Sequence, residues 1–329
     1  MPVQYGFQAF VGVEKESVYG TDPSGTRVHQ RINSSTLQRT QERERKTNLS
    51  VPASGFLGEV FDGFENTGGT IVMPLHYDGN GLMMIAALGF ESGVTPVTSG
   101  ASDPYTHTYK PNFAIPSFSM DFQRGQGLTN GLETFTGLMC ATATISCEAG
   151  GELIGSFEFI GKTGSTRTTN ITPTFSLGDS VLHHEFGNLA ISGSLTPSNL
   201  TIRSFELTID NKLERRNNLG SKLTAEPSIS DVREVTCSIS ADMEDNDIYS
   251  DFLSGVQGSV VIEATSLADS NHRFKVTLNN AVVEGYSDNI TAFGRVERTF
   301  TFRGLSDAST NGIEIVIING NSSATAAKP

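Results

Sequence analysis

Apolar and polar side chains alternate with a period of two through most of the chain, and this restricts the possible folds more than any other feature. Phe205, Leu207 and Ile209 alternate with Ser204, Glu206, Thr208 and Asp210. The same rule holds for Val235-Thr-Cys-Ser-Ile-Ser240, Arg273-Phe-Lys-Val-Thr-Leu278, Arg298-Thr-Phe-Thr-Phe302 and Gly155-Ser-Phe-Glu-Phe159. Successive side chains of a strand point to opposite faces, so each segment has one dry and one wet side. The expected fold is mainly β, built as sandwiches or half-barrels.

Two stretches break the rhythm. Asp78-Gly-Asn-Gly-Leu-Met-Met-Ile-Ala-Ala-Leu-Gly89 and Asp242 to Gly255 each open on residues that satisfy free helix N–H groups and close on glycine. Both are predicted to be short helices. They lie 166 positions apart, and the offset brings Asn80 onto Asn246, Gly89 onto Gly255, Met73 onto Ile239 and Asp78 onto Glu244. Upstream it brings Lys46 onto Lys212, inside two long polar loops at about 41–58 and 210–232. Downstream, Ser117–Phe122 resembles Arg273–Leu278, and Gly151–Gly161 resembles Gly294–Gly304. The expectation is a tandem of two β lobes, 34–162 and 196–305, each with one short helix and one long loop. An N-terminal arm (1–33), a connector (163–195) and a C-terminal strand and tail (306–329) complete it. Ile313-Glu-Ile-Val-Ile-Ile318 lies between Asn-Gly pairs and is strongly β-prone. Ile313, Ile315, Val316, Ile317 and Ile318 must therefore pair with the chain's own sheet or with a neighbouring subunit.

The 23 basic and 36 acidic side chains give a net charge of −13, against a surface that grips nucleic acid or anionic lipid. No apolar run reaches membrane-spanning length, and the first residues read as no secretory signal. Cys140, Cys147 and Cys237 are too few and too odd for a disulfide scaffold, fit a reducing compartment, and read as buried thiols.

Chemistry is sparse. His183-His184-Glu185 would point its adjacent imidazoles to opposite faces of a strand, so a metal site is not expected there. The acidic run Asp242, Glu244, Asp245, Asn246, Asp247 lacks the glycine and bidentate glutamate of a calcium loop and suits a helix N-terminus. No dinucleotide, phosphate-loop or nucleophile-elbow spacing occurs. No catalytic residue, metal or cofactor is expected. The one telling distribution is basic: Arg39, Arg43, Arg45 and Lys46 on the first long loop, Lys212, Arg215, Arg216 and Lys222 on the second. Repetition at matching positions points to docking of both loops on another subunit.

Taken in order, several segments resemble the tail tube proteins of long-tailed bacteriophages. Val11-Gly-Val-Glu-Lys-Glu-Ser-Val-Tyr-Gly-Thr21 is similar to that family's N-terminal arm. Tyr105–Pro111 leading to Ile115-Pro-Ser-Phe118 is similar to its entry into a core strand, and Gly137–Gly151 with Phe159-Ile-Gly-Lys162 to the strand pair that follows. Phe205–Glu214, Val235–Asp242 and Val296–Phe302 repeat the likeness, which spans roughly residues 7–305. The resemblance implies a structural virion protein, made in the host cytoplasm, whose sheets join those of sister copies into an inner barrel. Stacked rings would form a tube holding the tape measure protein and later passing double-stranded DNA without specific binding. Tail terminator and distal tail proteins would bind its ends, with no membrane partner. Two lobes per chain predict a trimeric ring of pseudo-sixfold symmetry, with a hexamer as the alternative. A surface two-domain β-sandwich adhesin is the rival binding reading. A polysaccharide-degrading enzyme is disfavoured by the absence of tryptophan for sugar platforms.

Overall fold

The computed structural model describes residues 6, 8–23, 25–45, 60–77, 79–97, 104–125, 130–175, 182, 190–192, 195, 201–242, 247–266, 272–289, 297–306 and 311–320. In chain order, β1 (Phe10–Lys15), β2 (Val28–Arg31), β3 (Ser34–Ser35), β4 (Gln38–Arg45) and β5 (Val60–Pro74) precede helix α1 (Gly81–Leu88). There follow β6 (Gly89–Pro96), β7 (Tyr105–Pro111), β8 (Phe118–Gln123), β9 (Leu132–Glu148), β10 (Ile154–Gly161), β11 (Thr163–Gly164) and β12 (Ala190–Ser192). Then come β13 (Ile202–Asp210), β14 (Leu213–Arg216), β15 (Ala225–Ile229), β16 (Glu234–Asp242) and helix α2 (Asp247–Ser254). The last are β17 (Gln257–Thr265), β18 (Arg273–Asn289), β19 (Glu297–Gly304) and β20 (Glu314–Asn319). The protein is mainly β, with antiparallel pairing throughout its named strands.

One sheet runs the length of the molecule in the order β4-β5-β10-β9-β13-β16-β19-β18. Its middle seam is the β9–β13 pairing, in register from Glu148 opposite Ser204 to Thr142 opposite Asp210. β9 and β18 are 17 residues each, and both leave this sheet to join a second layer. There the first half of β9 continues into β8, β1 and β2. The first half of β18 lies between β17 and β20, with β12 beyond β17 and the β7–β6 hairpin beyond β20. In the second layer β8 pairs with the first half of β9, and β17 with the first half of β18.

The core lies between the layers. Phe157, Phe205, Leu207, Ile209, Phe300 and Phe302 project from one face of the long sheet and are fully or almost fully buried. Each such side chain stabilises the fold by about 2–3 kcal/mol on transfer from water. Helix α1 is apolar on every side and buried at every position, as a helix without a polar face must be. It stops at Gly89, whose φ of 104° lets its N–H reach the Ile85 carbonyl. Asp242, expected to open the second helix, instead ends β16, with its carboxylate held by Arg203 at 2.7 Å, and α2 is described from Asp247.

The two polar loops are in their described parts β-hairpins, β4 with the start of β5 and β14 with β15. Arg39 and Arg43 fall on one face of β4 and Glu42 and Glu44 on the other, so charge on both sides hides the strand from any hydropathy pattern. The first hairpin leaves the sheet at Gly68-Gly69, where φ is 147° and 146°. A Cβ there would stand 2.3 Å from the Phe159 carbonyl oxygen or 2.5 Å from that of Thr36, so only glycine fits. Within 1–33, the described residues supply β1 and β2 to the second layer, and Ile313, Ile315 and Ile317 of the terminal segment are buried. His183, His184 and Glu185, and Glu244 to Asn246, lie outside the described residues.

Candidate functional site: a hydroxyl and carboxylate face

The face of the long sheet opposite the core is assembled by register. One row reads Val72, Ser156, Thr144, Thr208, Thr236, Arg303 across six strands. The next reads Ile154, Ser146, Glu206, Ser238, Thr301, and beyond it come Glu148, Ser204, Ser240, Thr299. On the other flank stand Thr70, Glu158, Thr142, Asp210, Glu234. Short β-branched hydroxyls pack well side by side on a pleated surface and add little relief. The result is a low carpet of hydroxyls with carboxylates set through it.

Its cations are tied down. Arg303 donates to Glu284 at 2.8 Å and lies 3.3 Å from Glu234; Lys212 lies 2.7 Å from Asp210 and 2.9 Å from Glu234. Hydrogen bonds from Lys212 and then Arg303 hold the Glu234 carboxyl below its ordinary value. Glu148, Glu158 and Glu206 have no cation partner among the described residues, so the net field of the face is negative. Among the described residues it offers no aromatic platform and no free row of arginine or lysine, the two devices that hold a nucleic-acid strand.

The expected docking residues divide in two. On the first hairpin Arg43 is exposed and 3.8 Å from Asp62, while Arg39 donates to the Gly164 carbonyl at 2.7 Å. Arg45 ends β4, and Lys46 lies outside the described residues. On the second hairpin Arg215 turns inward, its guanidinium donating to the carbonyls of Thr67 and Gly161, and burial lowers its pKa. Arg216 and Lys222 are exposed, and the Lys222 carbonyl accepts from the Glu65 N–H at 2.8 Å. The Tyr19 hydroxyl donates to the Ala225 carbonyl at 3.2 Å. The second hairpin is thus fastened to the base of the first within one chain. Ile315, Val316, Ile317 and Ile318 pair with β18 on one side and β7 on the other, so both edges of that strand are taken internally, while Ile313 precedes it and is buried.

The helices also differ in surroundings. The α1 carbonyls of Ala87 and Leu88 accept from Asn211 and Arg233, which follow β13 and precede β16. On and just after α2, Tyr249, Leu253 and Val256 are 42%, 66% and 46% exposed.

Cys140, Cys147 and Cys237 are free and buried. Burial pushes the Cys140 and Cys237 thiols up, that of Cys237 to about 12, and raises Cys147, which Glu148 raises further. A raised thiol pKa means the fold disfavours thiolate, so this stability is present below the ordinary value of 9.0 and is lost as pH rises toward 12. Between pH 8 and 10 the Cys140 and Cys237 thiols are each expected to cost about 1.4 kcal/mol. Urea unfolding at the two pH values, with a triple Cys→Ala variant as reference, measures it; equal slopes in both proteins would contradict the assignment.

Among the described residues no three His, Cys, Asp or Glu converge as a metal site, and no helix is long and apolar enough to cross a membrane. The model of the phage tail tube protein family matches residues 6–311, nearly the whole chain. The chain belongs to that family. Among curated proteins none matches it. A tail tube protein is a structural component of the virion tail that assembles with its own copies, and a wide polar sheet face suits that role. The hydroxyl rows are the candidate feature that residue-by-residue sequence reading missed. Their signal was present in the polar register of each alternating strand, and only the pairing across β9–β13 lines those registers up.

Proposed function

We propose that this tail tube protein forms the wall of a hollow conduit, with the hydroxyl and carboxylate face lining the bore. The reading is carried by the β9–β13 seam. The strand set β4-β5-β10-β9 is followed in the sheet by β13-β16-β19-β18, each with its helix after the second strand in chain order. We read these as two copies of one lobe, residues 34–162 and 196–305, joined by the 163–195 connector. The last strand of the first lobe pairs with the first strand of the second.

Among the described residues, β4 and residues 283–289 of β18 have a strand partner on one side only. Repeating the seam from copy to copy closes a ring. Three copies then present six similar lobes, which favours a pseudo-sixfold trimer over a hexamer. The exposed side of α2 would be covered by the next copy's first lobe, as α1 is covered by the second lobe of its own chain. Stacked rings would enclose the tape measure protein and later pass double-stranded DNA, which the carboxylates repel and so do not retain. Tail terminator and distal tail proteins would close the tube's ends, and synthesis would occur in the host cytoplasm.

Leu253→Asp tests this reading. The site is exposed in the single chain, so unfolding free energy should change by less than about 0.5 kcal/mol. Association measured by light scattering should weaken at least tenfold, because a carboxylate would be buried unpaired in the contact. Unaltered assembly would contradict the proposed closure.

A further inference from the structure

Arg215 shows how one lobe seats a long hairpin. Its guanidinium takes only neutral acceptors: the carbonyls of Thr67 and Gly161, which face each other across β5–β10, and the Thr224 hydroxyl. The corresponding place on the second lobe follows from register. Ile71 lies opposite Phe157 as Cys237 lies opposite Phe302, so Thr67 corresponds to Arg233. Continuing the β16–β19 register past its last pair sets Arg233 against Ser306, the counterpart of Gly161. A cleft of about 660 Å³ lies there, lined among others by Asp231, Val232, Arg233, Ser306 and Phe113. Phe113 and Val232 on its lining are 85% and 78% exposed.

The arginine that matches Arg215 is also fixed by register. Ser35 lies opposite Ile71 as Leu207 lies opposite Cys237, and Arg43 follows Ser35 at the spacing by which Arg215 follows Leu207. Both hairpins also carry a register shift beside that arginine, between Gln41 and Arg43 and between Glu214 and Arg216. Arg43 has a 74% exposed side chain and only a loose contact with Asp62.

From this we infer that the cleft at Arg233 and Ser306 is the seat for the β4–β5 hairpin of a second copy, with Arg43 donating to carbonyls there as Arg215 does within the chain. The inference rests on the two-lobe reading. The occupant is a sister chain because only that hairpin repeats the register and the arginine. The Arg233 guanidinium is turned away to the Leu88 and Asn112 carbonyls, and Asp231 adds a carboxylate to the cleft lining. Recognition through carbonyls and an arginine fork is geometric, so lysine would not replace it.

The test combines Glu44→Cys, which leaves Arg43 in place, with Val232→Cys in the full chain, treats the assembled protein with a short bis-maleimide, and reads chain number on a denaturing gel. Linked species of two and three chains are expected, absent from either single variant, since the three native thiols are buried. Rings seen by electron microscopy without linked chains would overturn the seat and leave the ring reading standing. Absence of both would overturn the two together. As a second arm, Arg43→Ala should keep the fold and weaken association roughly tenfold or more, with Arg43→Lys failing to restore it. Assembly of Arg43→Ala at the wild-type concentration would also overturn the seat.

Discussion

A chain cut after Leu305 is expected to accumulate as insoluble protein, because β20 is an inner strand of the second layer. Ile313, Ile315 and Ile317 are each fully buried, and each stabilises the fold by about 2–3 kcal/mol. Their sum is on the order of the whole net stability of a domain. The cut would also open the edges of β18 and β7 together, and exposed edges of that kind pair with other chains. Ile315→Asp makes the same point without shortening the chain, since the carboxylate would enter the core between Val276 and Tyr109. Solubility after expression and the urea midpoint are the measurements. A soluble truncated chain with an unchanged midpoint would show that β20 is dispensable.

Removing one buried carboxylate near the N-terminus is expected to cost nearly as much. Glu16 is 6% exposed and accepts four hydrogen bonds. Gly20 N–H and Ser117 Oγ donate to Oε2, each at 2.7 Å; Ser119 Oγ donates to Oε1 at 2.7 Å, and Gly137 N–H at 2.8 Å. The site holds the turn after β1 against β8 and against the bend of β9 at Gly137, whose φ is 70°. No cation balances the charge among the described residues, so the four donors alone keep it buried. Glu16→Ala leaves all four unmet and is expected to destabilise the fold by about 3–5 kcal/mol. Glu16→Gln keeps the shape but turns one acceptor into a donor facing other donors, for a loss of about 2 kcal/mol. Equilibrium urea unfolding of the three proteins gives the order directly; equal stabilities would remove the anchor from this account.

Period-two alternation marked β13, β16, β19 and β10 correctly because each has one buried and one wet face. The helices were legible at α1 and α2 for the opposite reason, a change of period closed by glycine. β4 and β14 were not, since strands with charges on both sides carry no hydropathy signal. The candidate face was hidden more deeply. Thr144, Thr208 and Thr236 are ordinary polar residues of three separate strands, and only the seam between β9 and β13 makes them one surface. The basic clusters show a further limit of sequence. Arg43 and Arg215 read alike, yet one is exposed and the other is bonded to the base of the first hairpin. Charge and spacing give the residue; only the fold says which neighbour is already present.

Electron cryomicroscopy of the purified, assembled protein, viewed in cross-section, tests the central claim most directly. The expected cross-section is a hollow ring of three chains whose six lobes are nearly equivalent, with the rows of Thr144, Thr208 and Thr236 on the channel surface. A solid particle, or a ring with those threonines facing outward, would contradict it.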